Sequence, residues 1–203
     1  MDSAAAIGFW GTLEQADKAA TLAVNSLHSP ASDFVWLTFS DKEIWYPLYL
    51  AVLVFLLVRL GWKKALAVTL SCVLTIVICD QLANFTKDFF GRLRPCWDGQ
   101  MLAAGLHEIG GKSEYYKFGF YSAHAANAAG FAVCSWLGFR NDRRLRWRGY
   151  GWGICIWAFL VGLSRIFAGQ HFIGDVLTGF LVGVLAGWGM AALARLAIRR
   201  LHL

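Results

Sequence analysis

The sequence predicts an all-α protein: a polytopic membrane helix bundle of about five transmembrane helices, preceded by an amphipathic, interfacial N-terminal segment. Of its 203 residues, 58% are hydrophobic and only 16% are charged, whereas an average soluble domain has roughly 25% charged residues. Apolar runs recur along the chain, each near the roughly 20 residues that a spanning helix needs. The main connection, residues 88–120, is polar and contains several glycines.

The first 42 residues mix apolar and charged positions without an uninterrupted spanning stretch. They have no basic start followed by an apolar core, so they do not resemble a signal peptide. The stretch from Leu13 to Leu27 can form an amphipathic helix on the membrane surface. We therefore predict an extracytoplasmic interfacial segment over residues 1–42 and a transmembrane domain over residues 43–203.

Five apolar stretches in the second part are long enough to cross a bilayer as helices. The predicted spans are 43–61, 64–87, 121–139, 149–168 and 172–195. Because backbone polar groups cannot be left unsatisfied in hydrocarbon, these stretches are predicted to be helical throughout.

The distribution of basic residues predicts the orientation of these spans. Eleven of the 19 Lys and Arg residues, but only one of the 13 acidic residues, Asp142, lie on one side. The eleven are Arg59, Lys63, Lys64, Arg140, Arg143, Arg144, Arg146, Arg148, Arg195, Arg199 and Arg200. Since Lys and Arg are enriched in cytoplasmic loops, this side is predicted to be cytoplasmic.

It follows that the N-terminus lies outside, the C-terminus lies in the cytoplasm, and the protein is integral to the inner (cytoplasmic) membrane. The net charge of +6 comes mostly from the excess of Lys and Arg on the predicted cytoplasmic side. The bilayer is therefore an expected partner and nucleic acid is not. The sequence leaves the oligomeric state open.

Four polar clusters, far apart in sequence, fall at span ends that this topology brings to the same face of the bilayer. They are Lys87, then Ser122 with His124, then Arg165, then His171 with Asp175. Ionisable groups near hydrocarbon are costly, so they are candidates for function. We predict that they form one site at the extracytoplasmic face.

The cations of this predicted site indicate a phosphate as its ligand. An Arg fits an oxyanion bidentately, as Arg94 and Arg165 would, while Lys87 acts as a point charge. Ser122 and the backbone of Ala123 begin a predicted helix, and helix N-termini favour phosphate. The role of Arg92 stays open between a second phosphate contact and a solvated loop charge.

The histidines of the site indicate phosphoryl transfer. His171 and Asp175 are four residues apart, so they are neighbours on one helix face. The carboxylate can accept the proton of one imidazole nitrogen and leave the other as a nucleophile. His124 can protonate the departing alkoxide. This chemistry requires no metal and no other cofactor.

These residues resemble the motifs of the type 2 phosphatidic acid phosphatase (PAP2) superfamily. The first motif, Lys, six residues, Arg-Pro, is matched by KDFFGRLRP from Lys87 to Pro95. The third, Ser-Arg, five residues, His, three residues, Asp, is matched by SRIFAGQHFIGD. The second is usually Pro-Ser-Gly-His, and this chain has YSAH from Tyr121 to His124. Ala123 adds one methyl group to the cradle, and we expect Tyr121 to narrow the entrance or to shift the substrate preference.

The resemblance implies a membrane-embedded catalytic domain over residues 43–203 that hydrolyses a lipid phosphate through a phosphohistidine at His171. Asp175 would orient that ring, His124 would protonate the leaving group, and Lys87, Arg94, Ser122, Ala123 and Arg165 would hold the phosphoryl oxygens. Candidate substrates are lipid A, undecaprenyl phosphate or diphosphate, phosphatidylglycerol phosphate and phosphatidic acid. An anion transporter and a catalytically weak lipid-phosphate binding protein are the alternatives.

Two further patterns carry expectations for the structure. Tyr115, Tyr116, Phe118 and Phe120 are predicted to form an interfacial aromatic belt, in the loop where headgroup selectivity would reside. Gly179, Gly183 and Gly187 repeat every four residues along the last span, which predicts close packing against another helix.

Overall fold

The computed structural model describes residues 3–112, 116–142, 144 and 147–202. Eight α-helices lie in this part of the chain: α1 Ser3–Asn25, α2 Pro30–Ser40, α3 Tyr46–Leu60, α4 Trp62–Phe90, α5 Gly99–Ala103, α6 Ala123–Phe139, α7 Arg148–Phe167 and α8 Ile173–Arg200. Short 3-10 helices occupy Glu43–Trp45 and Pro95–Trp97. The expectations for Tyr115, Arg143 and Arg146 fall outside the described residues.

The prediction of an all-helical membrane bundle is confirmed. Within the described residues, four segments are long and apolar enough to cross a membrane: Glu43–Leu60, Trp62–Phe90, Arg148–Phe167 and Ile173–Arg200. The remaining predicted span corresponds to α6, whose 17 residues are at the lower limit for crossing. It lies at the centre of the bundle, with eleven of its residues buried.

Exposed apolar side chains cover the outside of the long helices. Val58 on α3 is 76% exposed, Phe85 on α4 is 65% exposed and Leu181 on α8 is 60% exposed. A soluble monomer rarely exposes apolar surface on this scale. In a bilayer the same side chains contact lipid tails, which is consistent with the predicted spans.

Helices α6 and α8 approach each other closely because glycines line their contact. A Cβ added at Gly183 would lie 2.2 Å from the carbonyl oxygen of Ala126, and one at Gly187 would lie 2.5 Å from that of Gly130. At Gly179 it would lie 2.5 Å from the carbonyl oxygen of Ser122. The predicted close packing of the glycine repeat is confirmed, and its partner is α6 of the same chain.

The N-terminal helix α1 docks on one end of the bundle through a polar stripe. Asp17, Thr21 and Asn25 follow each other at intervals of four residues and so share one face. Asn25 is fully buried, and its side-chain nitrogen donates to the carbonyl oxygens of Ile166 and Phe167 at 3.2 and 3.1 Å.

The expected surface helix is therefore held by polar contacts with the protein rather than by lipid alone. Its apolar side chains Phe9 and Trp10 are 58% and 67% exposed, which leaves them available for the membrane interface. Helix α2 packs on α7, where the rings of Trp36 and Phe167 stack with centroids 4.5 Å apart. The division at residue 42 stays a prediction.

Candidate active site

The site begins where α4 ends. Gly91 closes the helix with a φ of +58°, and its N–H donates to the carbonyl of Lys87. The chain then runs antiparallel to residues 117–119: Arg94 N–H donates to Lys117 at 2.9 Å and Gly119 N–H donates to Arg92 at 2.8 Å. Because alternate residues of an extended segment face the same side, Arg92 and Arg94 both point to the site.

Arg94 is fixed in this position by two contacts. It is 7% exposed; its Nε donates to the Phe118 carbonyl at 3.2 Å and its Nη1 donates to Gln170 Oε1 at 3.0 Å. Burial lowers the pKa of its guanidinium, but the group stays charged at neutral pH. Among the described contacts Nη2 is not used, so this nitrogen can bind an oxyanion.

His171 and Asp175 are both buried at the start of α8. His171 is 1% exposed and Asp175 is 0% exposed. The imidazole Nδ1 lies 3.5 Å from Asp175 Oδ2, beyond hydrogen-bond length. The predicted proximity is present, while the predicted hydrogen bond is not formed.

The environment of His171 keeps its imidazole neutral. Burial, together with the positive charges of Arg94, Arg165 and Lys87, lowers its pKa well below the usual histidine value. A neutral imidazole has the lone pair that a nucleophile needs. These three cations, from the ends of α4 and α7 and from the 91–98 loop, lie within electrostatic reach of this ring.

The first turn of α6 faces the same place. Ser122 caps the helix, with its hydroxyl accepting from Ala125 N–H at 3.4 Å, and its own N–H donates to the Asp175 carbonyl at 3.0 Å. His124 follows in this turn, within electrostatic reach of Arg165 and His171. Within the described residues, Arg165 Nε is buried without a hydrogen-bond partner, which leaves a donor for an anion.

Arg92 has a role that the sequence did not resolve. Its Nη1 donates to Asp175 Oδ1 at 2.6 Å and its Nη2 donates to Asp17 Oδ2 at 2.7 Å. Its guanidinium also lies 4.2 Å from the ring centroid of Phe172. The two carboxylates raise the pKa of Arg92 despite its partial burial. Because both of its Nη atoms bind carboxylates, Arg92 is not a solvated loop charge, and these atoms are not directed at a phosphate.

Asp17 was missed by the sequence reasoning. Its Oδ1 accepts the Gly174 N–H at 2.9 Å, so it binds both Arg92 and the first turn of α8. A Cβ at Gly174 would lie 2.7 Å from Asp17 Oδ2, so a larger residue there would displace this carboxylate. No local motif marks Asp17, because its partners are 75 and 157 residues away.

Tyr121 corrects one expectation. It is 2% exposed, and its hydroxyl donates to the Cys79 carbonyl of α4 at 2.9 Å. The side chain therefore packs between α4 and α6 and does not narrow an entrance. Beside Lys87 lies a cavity of about 150 Å³ that is also lined by Asn84, Tyr116 and Phe118, so two of the predicted aromatic residues lie next to the site.

The arrangement suits phosphoryl transfer: a buried imidazole and a second imidazole lie within electrostatic reach of each other and of three cations. Charge stabilisation of the transferring group is the main requirement of that reaction. Combined with the apolar bundle, this chemistry defines the class of the protein as an integral membrane phosphatase.

The chain belongs to the PAP2 superfamily. The sequence model of that family matches residues 64–199, which is more than half of the chain. Within this class the protein is a membrane lipid phosphatase of the PAP2 type, a family whose members act through a phosphohistidine.

Two relatives named lipid A 4'-phosphatase are similar over most of the chain. The one from Bacteroides thetaiotaomicron is 35% identical over 177 residues, covering 87% of this chain and 76% of the relative. The one from Porphyromonas gingivalis is 33% identical over 167 residues, covering 82% and 67%.

Two crystal structures share the fold. A PAP2-type phosphatidylglycerolphosphate phosphatase from Bacillus subtilis has a TM-score of 0.72 at 20% identity, covering 91% of this chain and 87% of its own. LpxE from Aquifex aeolicus has a TM-score of 0.61 at 23% identity, covering 85% and 92%. At these identities the likeness establishes the fold alone.

Proposed function

We propose that this protein removes the 4'-phosphate from lipid A or a closely related phosphorylated glycolipid. The support is the similarity to two lipid A 4'-phosphatases over more than four fifths of the chain. The exposed apolar faces of the helices support a reaction at a bilayer, where such a substrate resides. Phosphatidylglycerol phosphate, undecaprenyl phosphates and phosphatidic acid are the competing substrates.

In the proposed reaction, His171 attacks the phosphorus atom and the bond between phosphorus and the lipid oxygen breaks. His124 donates its proton to the departing alkoxide. Water then attacks the phosphohistidine, His124 takes up a proton, and inorganic phosphate leaves. Lys87, Arg94 and Arg165 hold the phosphoryl oxygens throughout, with Ser122 and the backbone at Ala123 completing the cradle.

We also assign the site to the extracytoplasmic face of the cytoplasmic membrane. The support is that the Arg-rich ends of α3, α6 and α8 lie at the opposite end of the bundle from His171. Since basic residues mark the cytoplasmic side, the N-terminal helix would be outside with the site and the C-terminus would be inside.

Asp17 and Arg92 are assigned as positioning residues. Arg92 balances the buried charge of Asp175, and Asp17 holds Arg92 in place, so Asp175 can face the His171 ring. Positioning groups one step removed from the chemistry commonly contribute 10- to 100-fold. We expect Arg92→Gln to lower kcat roughly 100-fold and Asp17→Asn roughly tenfold, with KM nearly unchanged.

Steady-state kinetics of the purified variants measure this split between kcat and KM. Glu14→Gln is the matched control, because Glu14 lies one turn earlier on α1 and its side chain is 54% exposed. Equal losses in Glu14→Gln and Asp17→Asn would contradict the positioning role, as would a loss confined to KM.

The substrate assignment is tested with purified protein in detergent, given each candidate lipid phosphate in the presence of EDTA. We expect the highest kcat/KM for lipid A, with unchanged rates when EDTA is omitted. Mass spectrometry of the product shows whether the 4'- or the 1-phosphate has been removed. Faster release from phosphatidylglycerol phosphate, or loss of activity with EDTA, would refute the corresponding part of the proposal.

A further inference from the structure

A second polar cavity lies at the end of the bundle opposite to His171. Its volume is about 760 Å³, within the range of small-molecule binding sites. It is a half-open cavity, lined by the end of α3, the start of α4, the residues just after α6 and the last turns of α8. No residue of the candidate active site contributes to its lining.

The lining of this cavity is strongly cationic. Six of its residues are basic: Arg59, Lys64, Arg140, Arg144, Arg195 and Arg199. The lining contains one acid, Asp142, which is bound by Arg59 Nε at 2.9 Å and Nη2 at 2.8 Å and by the N–H of Arg144 at 2.9 Å. Among the described ion pairs, none neutralises Lys64, Arg140, Arg195 or Arg199, so the cavity carries a large excess of positive charge.

An anion bound between these cations would relieve their mutual repulsion. Like charges that share one cavity repel each other over distances shorter than the screening length of about 8 Å at physiological salt. Leu60 and Ile198 add an apolar part to the lining. Basic residues beside apolar ones at the level of the headgroups match a phosphate attached to a lipid, since the phosphate meets the cations and the glycerol backbone meets the apolar part.

We infer that this cavity binds the phosphate group of an anionic phospholipid, as a second lipid site separate from the catalytic one. Arg140, Arg195 and Arg199 donate to the phosphate oxygens, Lys64 contributes a point charge, and the Arg59–Asp142 pair holds the end of α3 against the end of α6. The bound lipid thereby joins α3, α4, α6 and α8 at this end of the bundle.

A second explanation for these cations is membrane topology, because Lys and Arg are enriched at the cytoplasmic ends of spans whether or not a ligand binds there. The chain offers a matched pair of variants that separates the two explanations. Lys64 and Arg195 line the cavity and are half-buried, whereas Lys63 and Arg200 lie on the same two helices, are exposed and do not line it. Each pair contains one Lys and one Arg, so both double variants change the net charge equally.

Binding is measured by native mass spectrometry of the full chain in detergent, titrated with dioctanoyl phosphatidylglycerol. Each basic residue near a lipid surface contributes about 1 kcal/mol, so we expect the Lys64→Gln/Arg195→Gln variant to bind roughly 10- to 30-fold more weakly. The Lys63→Gln/Arg200→Gln variant should bind like the wild type. Equal weakening in both variants, or equal binding of phosphatidylcholine, would overturn the inference.

Two additional arms complete the test. Glycerol phosphate tests whether the ligand is a lipid or a soluble phosphate. If glycerol phosphate bound as tightly as the lipid, and this binding were lost in the Lys64→Gln/Arg195→Gln variant, the cavity would be an anion site for a soluble phosphate and the assignment of a lipid would be wrong. The titration is repeated in the His171→Ala background, where the catalytic nucleophile is absent. If the His171→Ala protein no longer bound dioctanoyl phosphatidylglycerol, the lipid would have been bound in the catalytic site, and the inference would be overturned.

Discussion

Replacement of His171 by alanine should abolish turnover, with kcat lower by at least about a thousandfold. The imidazole is the proposed nucleophile; it is buried and lies within electrostatic reach of Arg94, Arg165 and Lys87. Without it, water would have to attack the phosphate in a site that was built around a nitrogen nucleophile. Free phosphate released from a lipid phosphate measures the effect.

A rapid acid-free quench with a radiolabelled substrate tests the intermediate itself. Wild-type protein should carry label that is stable to alkali and lost in acid, as expected for a phosphohistidine, and His171→Ala should carry none. His202→Ala is the control, because His202 lies just beyond the end of α8 that is opposite to His171 and is exposed. Wild-type rates in His171→Ala would refute the assignment of the nucleophile.

Replacement of Gly183 by valine should disrupt the bundle. Its Cβ would meet the carbonyl oxygen of Ala126 at 2.2 Å and the nitrogen of Gly130 at 2.9 Å. Both are backbone atoms of a buried helix, so they cannot move aside as a flexible side chain can. We expect a loss of about 3 kcal/mol or more, which corresponds to an apparent Tm lower by about 6–12 °C for a chain of this size.

Thermal unfolding in detergent, followed by circular dichroism, measures this loss. Gly189→Val is the matched control, because Gly189 lies on the same helix and a Cβ there would meet nothing within 4 Å. Both variants carry the same change in intrinsic helix propensity. Equal apparent Tm values for the two variants would contradict the packing role of Gly183.

The membrane class, the helical fold and the approximate spans were predictable because they depend on local properties of the chain. Apolar runs of the right length determine which segments are helical, and the four-residue spacing of Gly179, Gly183 and Gly187 determines which face of α8 can approach a neighbour. The motif residues from Lys87 to Asp175 were also predictable, since the alternation of spans brings helix ends to one face. Their catalytic roles remain a proposal.

The three-dimensional structure decided what depends on contacts between distant segments. Asp17 reaches Arg92 and Gly174 only because α1 folds back onto the site, and no short-range pattern in the sequence encodes that approach. Tyr121 stands where the family motif has proline, yet its orientation follows from the position of the Cys79 carbonyl on α4. Hydrophobic periodicity specifies helices and their faces, whereas partners of single polar groups depend on how those helices pack.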